Sequence, residues 1–385
     1  MSRKRHTVVL FLGDSNFGNI GSMVPALADG FREIGFDIRI IDVRTADYGT
    51  TLAGLADQEA IAAVVSVSGF GLPPTSDAPA VRVFNDLDVP IIGLFLDHPF
   101  CLQERIELPL RHYHACFPAG HAGAFCERFM ASTARYHHVA HACVPRRPVD
   151  WHERDIPLLL TGSLFLPPAE QRRRWRDHGP EVEQRLNDVI DLAWQDLARP
   201  LETSVLQVLG EDIGFETVFP YMKTADDYIR NAQRVTVVQG LGHLPLTVVG
   251  PGWAPYVEQL PGIRFVGQRT IDEALAMTGQ AKAVLNPFPG YNDSHERVFN
   301  AMAGGTAVIS SRSTLYDRTF NADEITFLPN EPADAGDTIA AFLGEDAQVA
   351  AMAACGRQNV FDAHTWVHRA RELAQVAGLQ MPTPH

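Results

Sequence analysis

Three scarcities bound what this chain can be. Cysteine is one: five thiols (Cys101, Cys116, Cys126, Cys143 and Cys355) in 385 residues is too few, and an odd number, for a disulfide framework. Long apolar runs are another. No stretch approaches the 18 or so uncharged residues that cross a bilayer, so integral membrane association is not expected. The basic start Met-Ser-Arg-Lys-Arg-His leads into an apolar run that ends at Asp14, short of a signal-peptide core. It reads as a first strand of a cytoplasmic protein. Positive charge is the third: 32 Lys plus Arg against 46 Asp plus Glu leave a net charge of −14, which disfavours nucleic acid as a partner. There is no repeat of 20 to 50 residues and no low-complexity tract.

What is present is globular. Hydrophobic residues make up 46% and charged residues 20%, enough apolar material for more than one core. Over the first 140 residues, short β-branched runs alternate with amphipathic stretches: Thr7 to Leu12, Asp37 to Val43, Ala62 to Val67, Pro90 to Leu96 and His112 to Phe117. That alternation predicts a parallel sheet covered on both faces by helices. A Pro- and Arg-rich passage, Val144 to Asp155, reads as a linker. The pattern restarts with strands at Pro157 to Thr161, Leu246 to Val249, Ile263 to Val266, Ala283 to Asn286 and Ala307 to Ser310. We expect an α/β protein of two doubly wound Rossmann-like domains, residues 1–148 and 149–365, facing a central cleft. A helical insertion occupies 166–232, and a terminal helix in 366–385 is expected to pack back on the first domain.

Ligands of such domains gather at the carboxyl ends of strands, which directs attention to four segments. The loop holding Gly13, Asp14, Asn16, Gly18 and Asn19 lets the backbone approach a ligand, but it is neither a P-loop nor G-x-G-x-x-G. Asp42, 21 residues past Gly21, keeps open a ribose contact and hence an NAD-type oxidoreductase. The loop Leu96 to Phe100 offers Asp97 and His98 as general bases, only one of which can face substrate because neighbours on an extended chain point opposite ways. Eight of the 15 histidines lie between positions 98 and 152, and His112, His114 and Cys116 alternate along one strand. Without C-x-x-C or H-E-x-x-H spacing these are expected to be hydrogen-bonded histidines, not a metal centre.

The fourth segment, Val284 to Ser310, reads as a strand, a Pro/Gly loop, a helix capped by Asp293 or Ser294, and a Gly304-Gly305 stop. Arg297 falls in the first turn of that helix and shares a face with Asn300 and Gly304. A cation there is unfavourable unless an anion meets it, so free helix N-H groups and Arg297 together suit a diphosphate. A salt bridge from Arg297 to Glu296 or Asp293 is the plain alternative.

The stretch Ser294 to Ser310, with its Arg-Val-Phe-x-Ala-Met-Ala-x-Gly-Thr-x-Val-Ile core, resembles the nucleotide-sugar-binding segment of GT-B glycosyltransferases, most closely the CgeB or spore-maturation-protein branch. Leu158 to Ser163, Leu246 to Trp253 and His364 to Ala370 match in the same order. The resemblance implies a glycosyltransferase moving a sugar from a nucleotide-diphosphate donor to a hydroxyl-bearing acceptor, with no cofactor and no metal. By position it implies donor contacts from Gly162, Ser163, Gly252, Trp253, Val266, Arg269, Tyr291, Ser294, His295, Arg297 and Asn300, and a proton acceptor among Asp97, His98 and Asp14. Asn300 stands where many relatives carry Glu, and no E-x7-E pair exists because Asn292 lies eight residues before Asn300. A non-catalytic binding protein on the same shell is the remaining alternative.

Overall fold

In the computed structural model, residues 6–13, 19–45, 48–329 and 334–381 are described. The chain divides into two units, one formed by the residues up to Val144 together with those from Ala363, the other by Pro145–Asp362. The first unit is a six-stranded parallel sheet of β1 (His6–Leu12), β2 (Asp37–Asp42), β3 (Ala60–Val67), β4 (Ile91–Leu94), β5 (Tyr113–Phe117) and β6 (Arg135–His138), in the order β2-β1-β3-β4-β5-β6. The second holds β7 (Ile156–Thr161), β8 (Leu246–Val249), β9 (Ile263–Gly267), β10 (Ala281–Asn286), β11 (Ala307–Ser310) and β12 (Thr326–Phe327), in the order β12-β11-β10-β7-β8-β9, again parallel throughout. Central strands such as β4 and β8 are buried along their whole length, as sheets covered on both faces require.

Two strands were not expected from sequence. The edge strand β6 reads Arg-Tyr-His-His, with no apolar alternation, and β12 is two residues long. The helical insertion comprises Pro168–Arg176, Pro180–Gln195, Leu201–Leu209 and Phe215–Gly240, so it runs eight residues beyond the expected end at 232.

The last helix, Trp366–Val376, belongs to the first unit. Trp366, Ala370 and Leu373 join Val24 and Leu27 of the helix Asn19–Glu33 in one core, and a side chain at Gly30 would collide with the Trp366 carbonyl, its Cβ only 2.6 Å away. Cys143 N-H donates to the His364 carbonyl at 2.9 Å. Arg369, 6% exposed, donates through Nε to the Ala140 carbonyl at 2.7 Å and through Nη2 to the His141 carbonyl at 3.2 Å. Replacing Arg369 by Met keeps the stem and strands those carbonyls in a dry core. Chemical denaturation of Arg369→Met is expected to show a loss of about 2–4 kcal/mol.

Candidate functional site

Strand β7 ends at Thr161 and turns through Gly162 into a loop tied to the neighbouring strand. Gly162 N-H donates to the Val249 carbonyl at 2.9 Å and Leu164 N-H to the Pro251 carbonyl at 2.9 Å. The backbone of Gly252 presses on this loop: at φ +87°, a Cβ there would stand 1.9 Å from the Leu164 carbonyl oxygen, so only glycine fits. Trp253 is fully buried and donates from Nε1 to the Gly162 carbonyl at 2.7 Å. Gly252 and Trp253, expected to line a donor pocket, both pack against this loop, and the Trp253 indole is wholly buried.

Arg297 reaches this loop from the helix Glu296–Ala303. Its Nε donates to Thr161 Oγ1 at 3.0 Å and its Nη1 to Asn286 Oδ1 at 2.8 Å. Asn286, at the end of β10, is fixed in turn by donating to Ser310 Oγ at 2.9 Å. A second guanidinium arrives from the long helix Phe215–Gly240, where Arg234 Nη1 donates to the Ser163 carbonyl at 3.2 Å. A methyl group placed on Gly162 would lie 3.2 Å from Arg297 Nη2 and 3.8 Å from Arg234 Nη1. The two cations therefore converge on one glycine.

Neither cation has a described carboxylate at ion-pair distance, although Glu296 acts on both and Asp226 on Arg234 from farther off. Among the described residues no carboxylate forms an ion pair with Arg297 or Arg234, and the alternative salt bridge to Glu296 or Asp293 is not made: Glu296 meets His295 Nδ1 at 3.2 Å, and Asp293 Oδ1 accepts from Leu315 N-H at 3.0 Å. Burial, then the neighbouring charges of Arg297 and Arg230, hold Arg234 down to about 9, and burial lowers Arg297 as well. Arg230 itself is paired, Nε to Asp226 at 2.8 Å, and donates to Asn292 Oδ1 at 3.2 Å. Asp226 also accepts from the Tyr291 hydroxyl at 2.9 Å, which accounts for the burial of Tyr291.

The cap of the helix Glu296–Ala303 differs from expectation. His295, not Asp293 or Ser294, caps it: His295 Nδ1 accepts from Arg297 N-H at 3.2 Å, and the His295 carbonyl accepts from Val298 N-H at 3.1 Å. The physical reason is that Asp293, at φ +60°, is committed to the start of the next helix, Thr314–Thr319. Amide donors expected to face an anion are thus partly taken by His295, and positive charge here comes chiefly from side chains. Ser294, just before the cap, is buried, and Asn300 on the helix is half-buried. Val266 and Arg269 sit on and just after the edge strand β9, where Arg269 Nη1 donates to the Gln268 carbonyl at 2.7 Å. They are not brought to the guanidinium pair by any contact described.

In the first unit, Asp97 is exposed and His98 is 6% exposed, in the loop after β4. His98 Nε2 lies 3.3 Å from His121 Nε2. The expected alternation of His112, His114 and Cys116 resolves into separate settings: His112 meets Asp88 at 3.1 Å, His114 stacks on His137, and Cys116 is wholly buried. Asp42 is gripped by Arg44 through Nε at 2.8 Å and Nη2 at 2.5 Å, which engages the carboxylate that a dinucleotide ribose would need. Asp14, Asn16 and Gly18 lie outside the described residues; Gly13 follows β1 and Asn19 opens the first helix.

Arg234 was missed because it falls just past the expected end of the insertion. The signal was available: Asp226, Arg230 and Arg234 recur every four residues and so share one face of a helix. An anion should bind fully below about pH 9 and weaken above it, as Arg234 loses its proton. The thermal shift given by sulfate over chloride, at matched ionic strength from pH 7 to 10, is expected to shrink through about 9, and this pH dependence should vanish in Arg234→Gln.

Residues 230–375 match the family model described as glycosyl transferase-like. No curated protein matches the sequence significantly. Among solved structures, the chain is similar to sucrose-phosphate synthase from Thermosynechococcus elongatus (TM-score 0.54, 13% identity, 97% of this chain and 98% of that one). It is also similar to T4 phage BGT in complex with its UDP-glucose substrate (TM-score 0.52, 13% identity, 96% and 98%) and to a glycosyltransferase from Rickettsia africae (TM-score 0.54, 9% identity, 97% and 98%). At such identities the structures speak to the fold, which is GT-B. The glycosyl transferase-like segment carries both Arg234 and Arg297, and the chain has the GT-B fold.

Proposed function

We propose that the protein transfers a glycosyl group from a UDP-sugar to a hydroxyl-bearing acceptor, with Arg297 and Arg234 holding the diphosphate over Gly162. The observation that carries this reading is the convergence of two guanidiniums, with no described carboxylate at ion-pair distance, on Gly162, which has no side chain in the way. Two partly buried like charges are costly until an anion joins them. As the glycosidic bond breaks, charge accumulates on the leaving diphosphate, and preorganised cations stabilise that transition state more than the ground state. Uridine is supported by the UDP-glucose complex of T4 phage BGT, a protein of the same fold.

Asn300, on the same helix as Arg297, supplies an amide for a ribose hydroxyl where the resemblance implies a carboxylate. Because side chains provide the counter-charge, the proposed reaction runs without a divalent ion. The Ser294 to Ser310 segment supports the CgeB-like branch for this chain.

Calorimetric titration with UDP, GDP, dTDP, ADP and CMP tests the reading. UDP is expected to bind most tightly, with affinity lowered about 10- to 150-fold in Arg297→Ala, the range for a lost charged hydrogen bond. No binding by any of the five, or equal binding in the variant, would remove the donor site from this loop.

A further inference from the structure

Resting on the sugar-transfer reading, we propose that Asn286 is a positioning residue whose neutral amide holds Arg297 in place while leaving its charge for the ligand, a task that an aspartate of the same shape could not perform. Asn286 closes the apolar strand β10 and is wholly buried, as is Ser310 at the end of the adjacent β11. A buried amide must find partners at both ends. A guanidinium only donates, so the atom 2.8 Å from Arg297 Nη1 is the amide oxygen Oδ1. Nδ2 then faces Ser310 Oγ at 2.9 Å and donates to it. The Ser310 hydroxyl in turn donates to the backbone carbonyl of Asn286 at 3.3 Å. That closed ring leaves the amide one orientation, with its oxygen toward Arg297.

The same principle extends around the cation pair. Arg297 Nε donates to the Thr161 hydroxyl and Arg234 Nη1 to the Ser163 carbonyl, so every hydrogen-bond acceptor described for the two guanidiniums is uncharged. Of the carboxylates that act on them from farther off, Glu296 meets His295 Nδ1, and Asp226 binds Arg230 and Tyr291. An aspartate in place of Asn286 would still satisfy both neighbours, with one oxygen on Arg297 and the other accepting from the Ser310 hydroxyl once that rotates. What changes is one negative charge, 2.8 Å from a buried cation. Such a carboxylate would offset the repulsion between Arg297 and Arg234 and so stabilise the ligand-free protein. By the same attraction it would compete with an incoming phosphate. Fixing the guanidinium without neutralising it is what asparagine contributes at this strand end.

Two rank orders test this in Asn286→Asp and Asn286→Ala: stability, from thermal melting in chloride, and anion affinity, from calorimetric titration with UDP. Asn286→Asp should melt above the wild type and Asn286→Ala below it. Affinity should follow a different order, falling about 3- to 10-fold in Asn286→Ala, the range for one lost hydrogen bond. In Asn286→Asp it should fall by more than about 100-fold, because a like charge then opposes the ligand. Combining Arg297→Gln with Asn286→Asp should abolish the gain in melting temperature, since the cation that the carboxylate pairs with is gone. A purely structural asparagine would lose stability and affinity together in both variants. An Asn286→Asp protein that melts below the wild type, that binds UDP as the wild type does, or that keeps its gain without Arg297 overturns the proposal. Failure of the wild type to bind UDP would instead sink the sugar-transfer reading, while the melting order of the two variants, with sulfate as the anion, still decides the role of Asn286.

Discussion

Mutual repulsion between Arg297 and Arg234 around Gly162 is the constraint on which the second unit is organised. Left to itself, a pair of like charges in a partly buried site would swing apart into water. It is restrained because each guanidinium is hydrogen-bonded to groups that the sheet itself fixes: Thr161 and Asn286 on strand ends, and the Ser163 carbonyl on the intervening loop. Such a site is positive before any ligand arrives. In the proposed sugar transfer little reorganisation would then be needed as charge develops on the diphosphate, the property that makes electrostatic catalysis effective.

Several residues that the resemblance implies as donor contacts also support the loop and its cations. Trp253 and Gly252 set the height of the loop, the one by a hydrogen bond to Gly162 and the other by having no side chain against Leu164. Tyr291 and Asp226 orient Arg230, whose charge presses on Arg234. His295 closes the helix from which Arg297 projects. Each of these residues helps fix the loop or the helices that carry the two guanidiniums.

A comparable economy governs the first unit. The loop after β4 turns one side chain inward and the next outward, and the inward histidine is spent on holding the turn. Its partner, His121, comes from beyond β5, so the pair ties together the ends of two adjacent strands. The His98 ring packs against Phe100 and Phe125.

Local pattern in the chain determined a good deal. Alternating β-branched runs and amphipathic stretches specify two parallel sheets, because a strand buried on both faces must be apolar throughout and a crossover helix must be apolar on one side. A cation in the first turn of a helix singled out Arg297, since elementary electrostatics disfavours it there. Strands β6 and β12 escaped notice because an edge strand needs little apolar content and a two-residue strand has no periodicity to detect. What folding alone decided is which groups meet. Arg234 and Gly162 are brought together across 72 positions of sequence, and His98 and His121 across 23, by strand order and helix packing. Proximity of that kind is a property of the sheets' topology, and no local run of residues encodes it.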